Sequence, residues 1–146
     1  MKLIVDNGGT SSDWAIVSEK KIISFDGINM FDSEEKLFLK FKNIFSHLHL
    51  QGQNVSLDLY TSGATSEVSL KVQNVFNTHF PTMDLSIFSD MLGASRALFI
   101  NKKGISCILG TGSNCAYFDG HQNHAITPSL GYLLSDEGSG YDLGRR

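Results

Sequence analysis

Apolar and polar positions follow two different rhythms along this chain. Residues 2–6, 12–18 and 20–25 read as three consecutive strands joined by short turns. The first is nearly all apolar, which suits a central place in a sheet. Gly27, Ile28 and Asn29 break the strand pattern, and a helical period takes over. Asp32 can cap that helix, Glu35 stands three residues on, and acids fill the first turn. Leu37, Phe41, Ile44 and Leu48, with Phe38 and Phe45 beside them, make one apolar stripe of helical period. The helix is predicted to end near Gln51 and Gly52.

Residues 55–61 form a fourth predicted strand, closed by Ser62 and Gly63. A second helix follows from about Thr65, with Val68, Val72, Val75 and Phe76 on one side. Pro81 stops the connection and residues 85–88 make a fifth strand. Ser89 and Asp90 then lead into a third helix, 91–99, whose Gly93, Ala94 and Ala97 permit close packing. After a turn at 102–104 a fresh β-hairpin begins, and the tail from 138 reads as the first turns of a helix. Three antiparallel strands followed by alternating crossovers predict an α/β fold: a mixed βββαβαβα sheet with helices on its faces, plus the opening hairpin of a second unit.

Two stretches share one grammar. LIVDNGGTSS at 3–12 and ISCILGTGSN at 105–114 are each a short apolar strand that stops in a glycine turn carrying hydroxyl residues. Glycine lets backbone N–H groups approach a ligand in conformations that a Cβ would block. Successive N–H groups in such a turn make a small anion-binding concavity, and Thr or Ser hydroxyls add donors. Alone, Asn-Gly-Gly is also an ordinary hairpin turn. Two such turns, about a hundred residues apart, suggest a polyphosphate held between two structural units.

Composition narrows the classes. With 146 residues there is room for one real core but not for two full domains. No apolar run is long enough to span a membrane. A net charge of −3 gives no reason to expect a nucleic-acid partner. The start lacks the apolar core and cleavage site of a leader, so the expectation is a cytoplasmic protein. Cys107 and Cys115 are the two cysteines, and Cys107 sits in an apolar strand, so structural thiols are expected rather than a disulfide framework. His121 and His124 lie in a polar turn without a third ligand and read as solvated; His47 and His49 point different ways on a helix.

The motifs DNGGT at 6–10, GIN at 27–29, SD at 89–90, GTGSNC at 110–115 and SDEGSGY at 135–141 carry a resemblance. In this order they are similar to the ribonuclease-H-like lobe of the actin-like ATPase and sugar-kinase superfamily. Within it they resemble N-acetylglucosamine kinase and its relatives in the BadF/BadG/BcrA/BcrD ATPase family. The resemblance implies an N-terminal lobe over 1–100 and the start of a C-terminal lobe over 104–146, without the family's adenosine-binding segment. It implies ATP and Mg²⁺ as cofactors and a small sugar as substrate. It also leaves an apolar lobe surface that should favour a homodimer or association through that surface.

By the same resemblance each motif residue takes a role. Asp6 would orient Mg²⁺, an ion that keeps several waters and takes one or two carboxylates; by itself it could equally fix its own turn. Gly8, Gly9, Thr10 and Ser11 would face the phosphates from one side, and Gly110, Thr111 and Gly112 from the other. Asp90, which by spacing alone is a plain N-cap, would be the general base that takes the proton of a sugar hydroxyl as its oxygen attacks the γ-phosphate. Asn29, Ser113, Asn114 and Asp136 would hydrogen-bond the sugar, with the backbone of Leu130 and Gly131 near its acetamido group. Here SLG at 129–131 stands where the family often has Gly-Trp-Gly, which leaves the identity of the sugar open. Two other readings stand beside the kinase. An activator ATPase of the dehydratase type would want cluster cysteines and a second Asp-x-Gly-Gly loop, where this chain has Leu109 before Gly-Thr-Gly. A non-catalytic sugar-binding or regulatory module is the third.

Overall fold

Strand alternation, more than overall apolarity, decides what the first sheet buries. In β1 (Lys2–Asn7) every second residue, Leu3, Val5 and Asn7, is buried, while Ile4 is 40 % exposed. The nearly continuous apolar run does take the central place in its sheet that the sequence suggests, but only one of its faces is buried. In β2 (Ser11–Ile16) the buried set is Ser12, Trp14 and Ile16. The computed structural model of the chain describes residues 1–126, 131, 133 and 135–146. They divide into two compact units, Met1–Asp90 and Met91–Arg146.

In the first unit, β3 (Lys21–Asp26), β4 (Val55–Thr61) and β5 (Met83–Ser89) complete a five-stranded sheet of order β3-β2-β1-β4-β5. β1, β2 and β3 pair antiparallel, whereas β1 with β4 and β4 with β5 are parallel. This is the predicted mixed sheet, with the crossovers made by α1 (Glu34–His47) and α2 (Ser66–His79). Leu37, Phe41, Ile44 and Phe45 of α1 and Val68, Val72, Val75 and Phe76 of α2 pack into one core with Leu3, Val5, Trp14, Leu57 and Leu59. Trp14 is wholly buried, edge-on to Phe25, Phe41 and Phe45. Truncating a ring such as Phe41 to alanine there costs about 3–5 kcal/mol. The opposite face of β1 and β2 carries Ile4, Asp6 and Asp13, turned away from that core.

Local signals shift the ends of α1. Its cap is Ser33, whose Oγ accepts from the Lys36 amide, and not Asp32. Asp32 instead pairs with Lys40 at 3.1 Å and its carbonyl accepts from Lys71. The helix also stops before Gln51 and Gly52. His49 takes the left-handed conformation (φ 55°) at the position after the C-cap, Leu48. The amides of His49 and Leu50 return to the carbonyls of Ser46 and Phe45. That pair of bonds is the Schellman closure, and burial of Leu50 supplies its usual apolar contact.

The second unit begins with α3 (Asp90–Phe99, its first residue apart) and holds a three-stranded antiparallel sheet, β6 (Gly104–Leu109), β7 (Ser113–Phe118) and β8 (Asn123–Ala125). The sequence gives no period-two signal for β8, which is short and polar. A buried Ser95–Ser106 hydrogen bond of 2.6 Å ties α3 to β6, and Phe99 stacks near Phe118. Phe99 also lies where a side chain at Gly104 would begin. α4 (Gly140–Arg145) follows, capped by Ser139.

Candidate functional site

The first glycine turn is a tight link between β1 and β2, closed by the Gly8 amide donating to the Ser11 carbonyl at 2.9 Å. Neither Gly8 nor Gly9 is left-handed. Thus neither glycine is needed for a left-handed backbone, and no atom lies within 4 Å of a Cβ built on Gly9. The internal demand for glycine falls on Gly27. Its amide donates to the Thr10 carbonyl at 3.1 Å, and a Cβ there would sit 2.7–2.9 Å from the backbone of Gly8 and Gly9. Backbone lies on backbone, so nothing flexible can give way. Gly9, Thr10 and Ser11 are exposed on the other side of the turn, where their amides and hydroxyls can meet an anion.

Asn7 fixes the place where this turn leaves the sheet. Its side chain is 1 % exposed and makes three hydrogen bonds. Nδ2 donates to the Ile28 carbonyl and to Thr61 Oγ1, both at 2.9 Å, and Oδ1 accepts from the Ile28 amide at 2.8 Å. One amide thereby joins the ends of β1 and β4 to the 27–29 segment. Sequence reasoning missed Asn7, because a polar residue before two glycines looks like part of the turn. Asn29 is exposed, and its Oδ1 accepts from the Phe31 amide at 3.1 Å.

Three carboxylates share this end of the first unit. Asp6 lies directly across from Asp13 in the β1–β2 register. Partial burial, then the charges of Asp90 and Asp13, push the Asp6 carboxyl above its ordinary value. Asp13 accepts a 2.6 Å hydrogen bond from Ser24. Asp90 starts α3 directly after β5 and is half-buried. Like charges held this close repel, and a divalent cation beside them removes the repulsion. The described residues contain no group of three His, Cys, Asp or Glu side chains able to cage a metal ion. Two facing carboxylates are the kind of donor set that magnesium takes, together with water and substrate phosphates.

The second glycine turn is braced differently. The Gly110 amide donates to the Gly112 carbonyl at 2.9 Å within the β6–β7 link. Here too neither glycine is left-handed, and no atom lies within 4 Å of a Cβ on Gly110. Asp136 Oδ1 accepts from the Ser113 amide at 3.1 Å, and its Oδ2 lies 3.1 Å from a Cβ built on Gly112. The start of α4 closes the rest. Gly140 donates to the Gly110 carbonyl at 2.8 Å, and Tyr141 donates to the Thr111 carbonyl at 3.3 Å. Asp136, predicted to contact sugar, thus spends one carboxylate oxygen on the turn itself. It does so from a left-handed backbone (φ 69°) uncommon for a non-glycine residue. Asn114 and Thr111 are exposed, and Ser113 is half-buried.

Gly131 is left-handed (φ 72°) and its carbonyl accepts from the Ser135 amide at 2.9 Å. Leu130 lies outside the described residues. His124 is not merely solvated: its Nε2 lies 2.7 Å from Asp119 Oδ2. With the His121 and Gln122 amides, that contact holds the Asp119 carboxyl well below the usual carboxylate range.

Comparison with solved structures shows the family of the chain. A protein of Porphyromonas gingivalis designated a candidate N-acetylglucosamine kinase shares 37 % identity and a TM-score of 0.87 over 99 % of this chain. The chain belongs to the family of that candidate kinase. It spans 54 % of that relative's length. ADP-bound MreB5 of Spiroplasma citri (13 % identity, TM-score 0.62) covers 84 % of the chain, which in turn spans 49 % of it. The ethanolamine utilization protein EutJ of Carboxydothermus hydrogenoformans (14 %, 0.55) covers 85 %, with the chain again spanning 49 %. At those identities the two establish the fold alone. No family model and no curated protein matches the chain. Among the described residues no helix is long and apolar enough to cross a membrane.

Proposed function

We propose that this kinase-family chain carries the sugar-side and phosphate-side machinery for ATP-dependent phosphorylation of an amino sugar, with N-acetylglucosamine as the first candidate. The observation that carries the reading is the carboxylate arrangement of the first unit, Asp6 with Asp13 opposite and Asp90 near, beside a glycine turn whose exposed side is unfilled by protein. The kinship to a candidate N-acetylglucosamine kinase supplies the substrate class.

In this reading the turns at 8–11 and 110–112 each offer amides and hydroxyls to phosphate oxygens of ATP. Asp6 is the residue that would orient Mg²⁺, which when bound supplies charge neutralisation at the phosphates. Asp90 accepts the proton of the attacking sugar hydroxyl. Asn29, Ser113 and Asn114 donate to and accept from sugar hydroxyls. Asp136 holds the Ser113 amide with one oxygen and keeps the other for sugar. The chemistry asks for placement above all, because phosphoryl transfer gains most of its acceleration from positioning and electrostatics.

Isothermal titration with N-acetylglucosamine, with and without MgATP and with glucose as control, tests the proposal. Saturable binding of N-acetylglucosamine over glucose, lost in Asp90→Asn and Asn29→Ala, is expected. Equal binding of both sugars, or of neither, contradicts the substrate assignment.

A further inference from the structure

Cys107 and Cys115 stand directly opposite each other in the β6–β7 register. They are the only cysteines of the 146-residue chain. Directly opposed residues of an antiparallel pair have Cα atoms about 4.5 or 5.5 Å apart, according to the hydrogen-bond pattern. Both separations fall inside the roughly 4.4–6.8 Å that a disulfide spans. The Cys107 side chain is within hydrogen-bonding reach of the Cys115 thiol, which that contact, with burial, pushes up from its ordinary value. Cys107 is exposed and Cys115 half-buried, and Cys107 shares its face of β6 with Ile105 and Leu109. An apolar strand does not hide Cys107, contrary to what the sequence suggests, because its outward phase is the apolar one.

We propose that Cys107 and Cys115 are a redox-active pair that closes reversibly into an intrachain disulfide across the β6–β7 hairpin, clamping the second glycine turn. The oxidant class is a small-molecule disulfide. The exposed Cys107 thiolate attacks one of its sulfurs and expels the first small thiolate. The Cys115 thiolate then attacks Cys107 Sγ and expels the second. Two protein thiols lose two protons and two electrons; the oxidant gains them as two free thiols. Opposed Cβ atoms in a strand pair lie about 4.5–5.5 Å apart, whereas a disulfide holds them at about 3.5–4.5 Å. Closure therefore draws the strands together by about 1 Å at a point two residues from the turn on either side, between Cys107 and Gly110 and between Gly112 and Cys115. Any consequence for phosphate affinity rests on the function proposed above; the bond itself does not.

The test equilibrates the purified chain with oxidised and reduced glutathione over a range of ratios and reads intact mass and free thiols. Expected is loss of two hydrogens and of both thiols in a monomer, reversed by dithiothreitol, with slowed amide exchange at residues 110–114. Cys107→Ser and Cys115→Ser should each give a single glutathione adduct instead. Two adducts on the unmodified chain, a disulfide-linked dimer, or two free thiols at every ratio overturns the proposal. These readouts need neither sugar nor nucleotide, so their failure is distinguishable from failure of the kinase reading.

Discussion

The two glycine turns look alike in sequence and are held by opposite means. The turn at 8–10 is pinned by neutral groups: the Gly27 backbone pressed on Gly8 and Gly9, and the buried Asn7 amide with its three bonds. The turn at 110–112 is pinned by a carboxylate, Asp136, and by the first amides of a six-residue helix. A motif thus tells which backbone can meet an anion, while what makes that backbone rigid comes from residues far away in sequence.

Gly27→Ala should have the largest effect on the first turn. Its Cβ meets only backbone, so the strain of overpacking, about 1–3 kcal/mol, cannot be relieved by a rotamer change. Urea unfolding of the chain should show that loss, while Gly9→Ala, where no protein atom is near, should leave the midpoint almost unchanged. An equal loss in both variants would break the distinction between the glycine packed on backbone and the one that faces open space.

Next comes Asn7→Ala. It strips partners from the Ile28 amide and carbonyl and from Thr61, and leaving such buried groups unpaired costs about 1–3 kcal/mol. Loss of amide protection should centre on residues 27–29 and spare β6 and β7. Protection lost evenly over both units would contradict a local clamp. Asp136 gives the matching experiment on the second turn. Asp136→Ala should free the Ser113 amide, at about 1 kcal/mol, as faster exchange at residues 110–113. Asp136→Gly should cost less, because glycine adopts φ 69° without strain.

How far the sequence could be read depended on whether the deciding partner was local. The stripes of α1 and α2 were legible because Phe41 or Val72 is placed by helical period alone. The cap was harder, since Asp32 and Ser33 both suit the position and only the Lys40 and Lys71 contacts of Asp32 separate them. Asn7 was invisible because its partners lie 21 and 54 residues away. The candidate site residues were legible as motifs, but the bracing duty of Asp136 and the exposure of Cys107 follow from strand register, which no motif encodes.

The smallest expected effect separates the units by pH. Asp6 titrates above its ordinary value, so the folded chain binds that proton more tightly than the unfolded chain does. Its ionised form therefore costs stability at neutral pH, and the cost disappears as pH falls through the folded value. Asp142 is the reverse: Arg146 and the Gly138 amide hold it below its ordinary 3.8, so its contribution to α4 is present above that value and lost as pH falls further. Asp6→Asn should accordingly stabilise the chain slightly at pH 7, by less than about 1 kcal/mol because the site is partly screened, seen as a small rise in melting temperature that shrinks toward pH 4. Destabilisation at pH 7 would mean that Asp6 is held by a favourable contact instead of by repulsion.

The most direct test of the central claim, that both turns take phosphate, is amide NMR of the chain titrated with MgATP. Saturable shifts at residues 8–11 and at 110–112 with one common affinity are expected, both lost on adding EDTA or in Asp6→Asn. Shifts confined to one turn, or absent from both at millimolar MgATP, would contradict it.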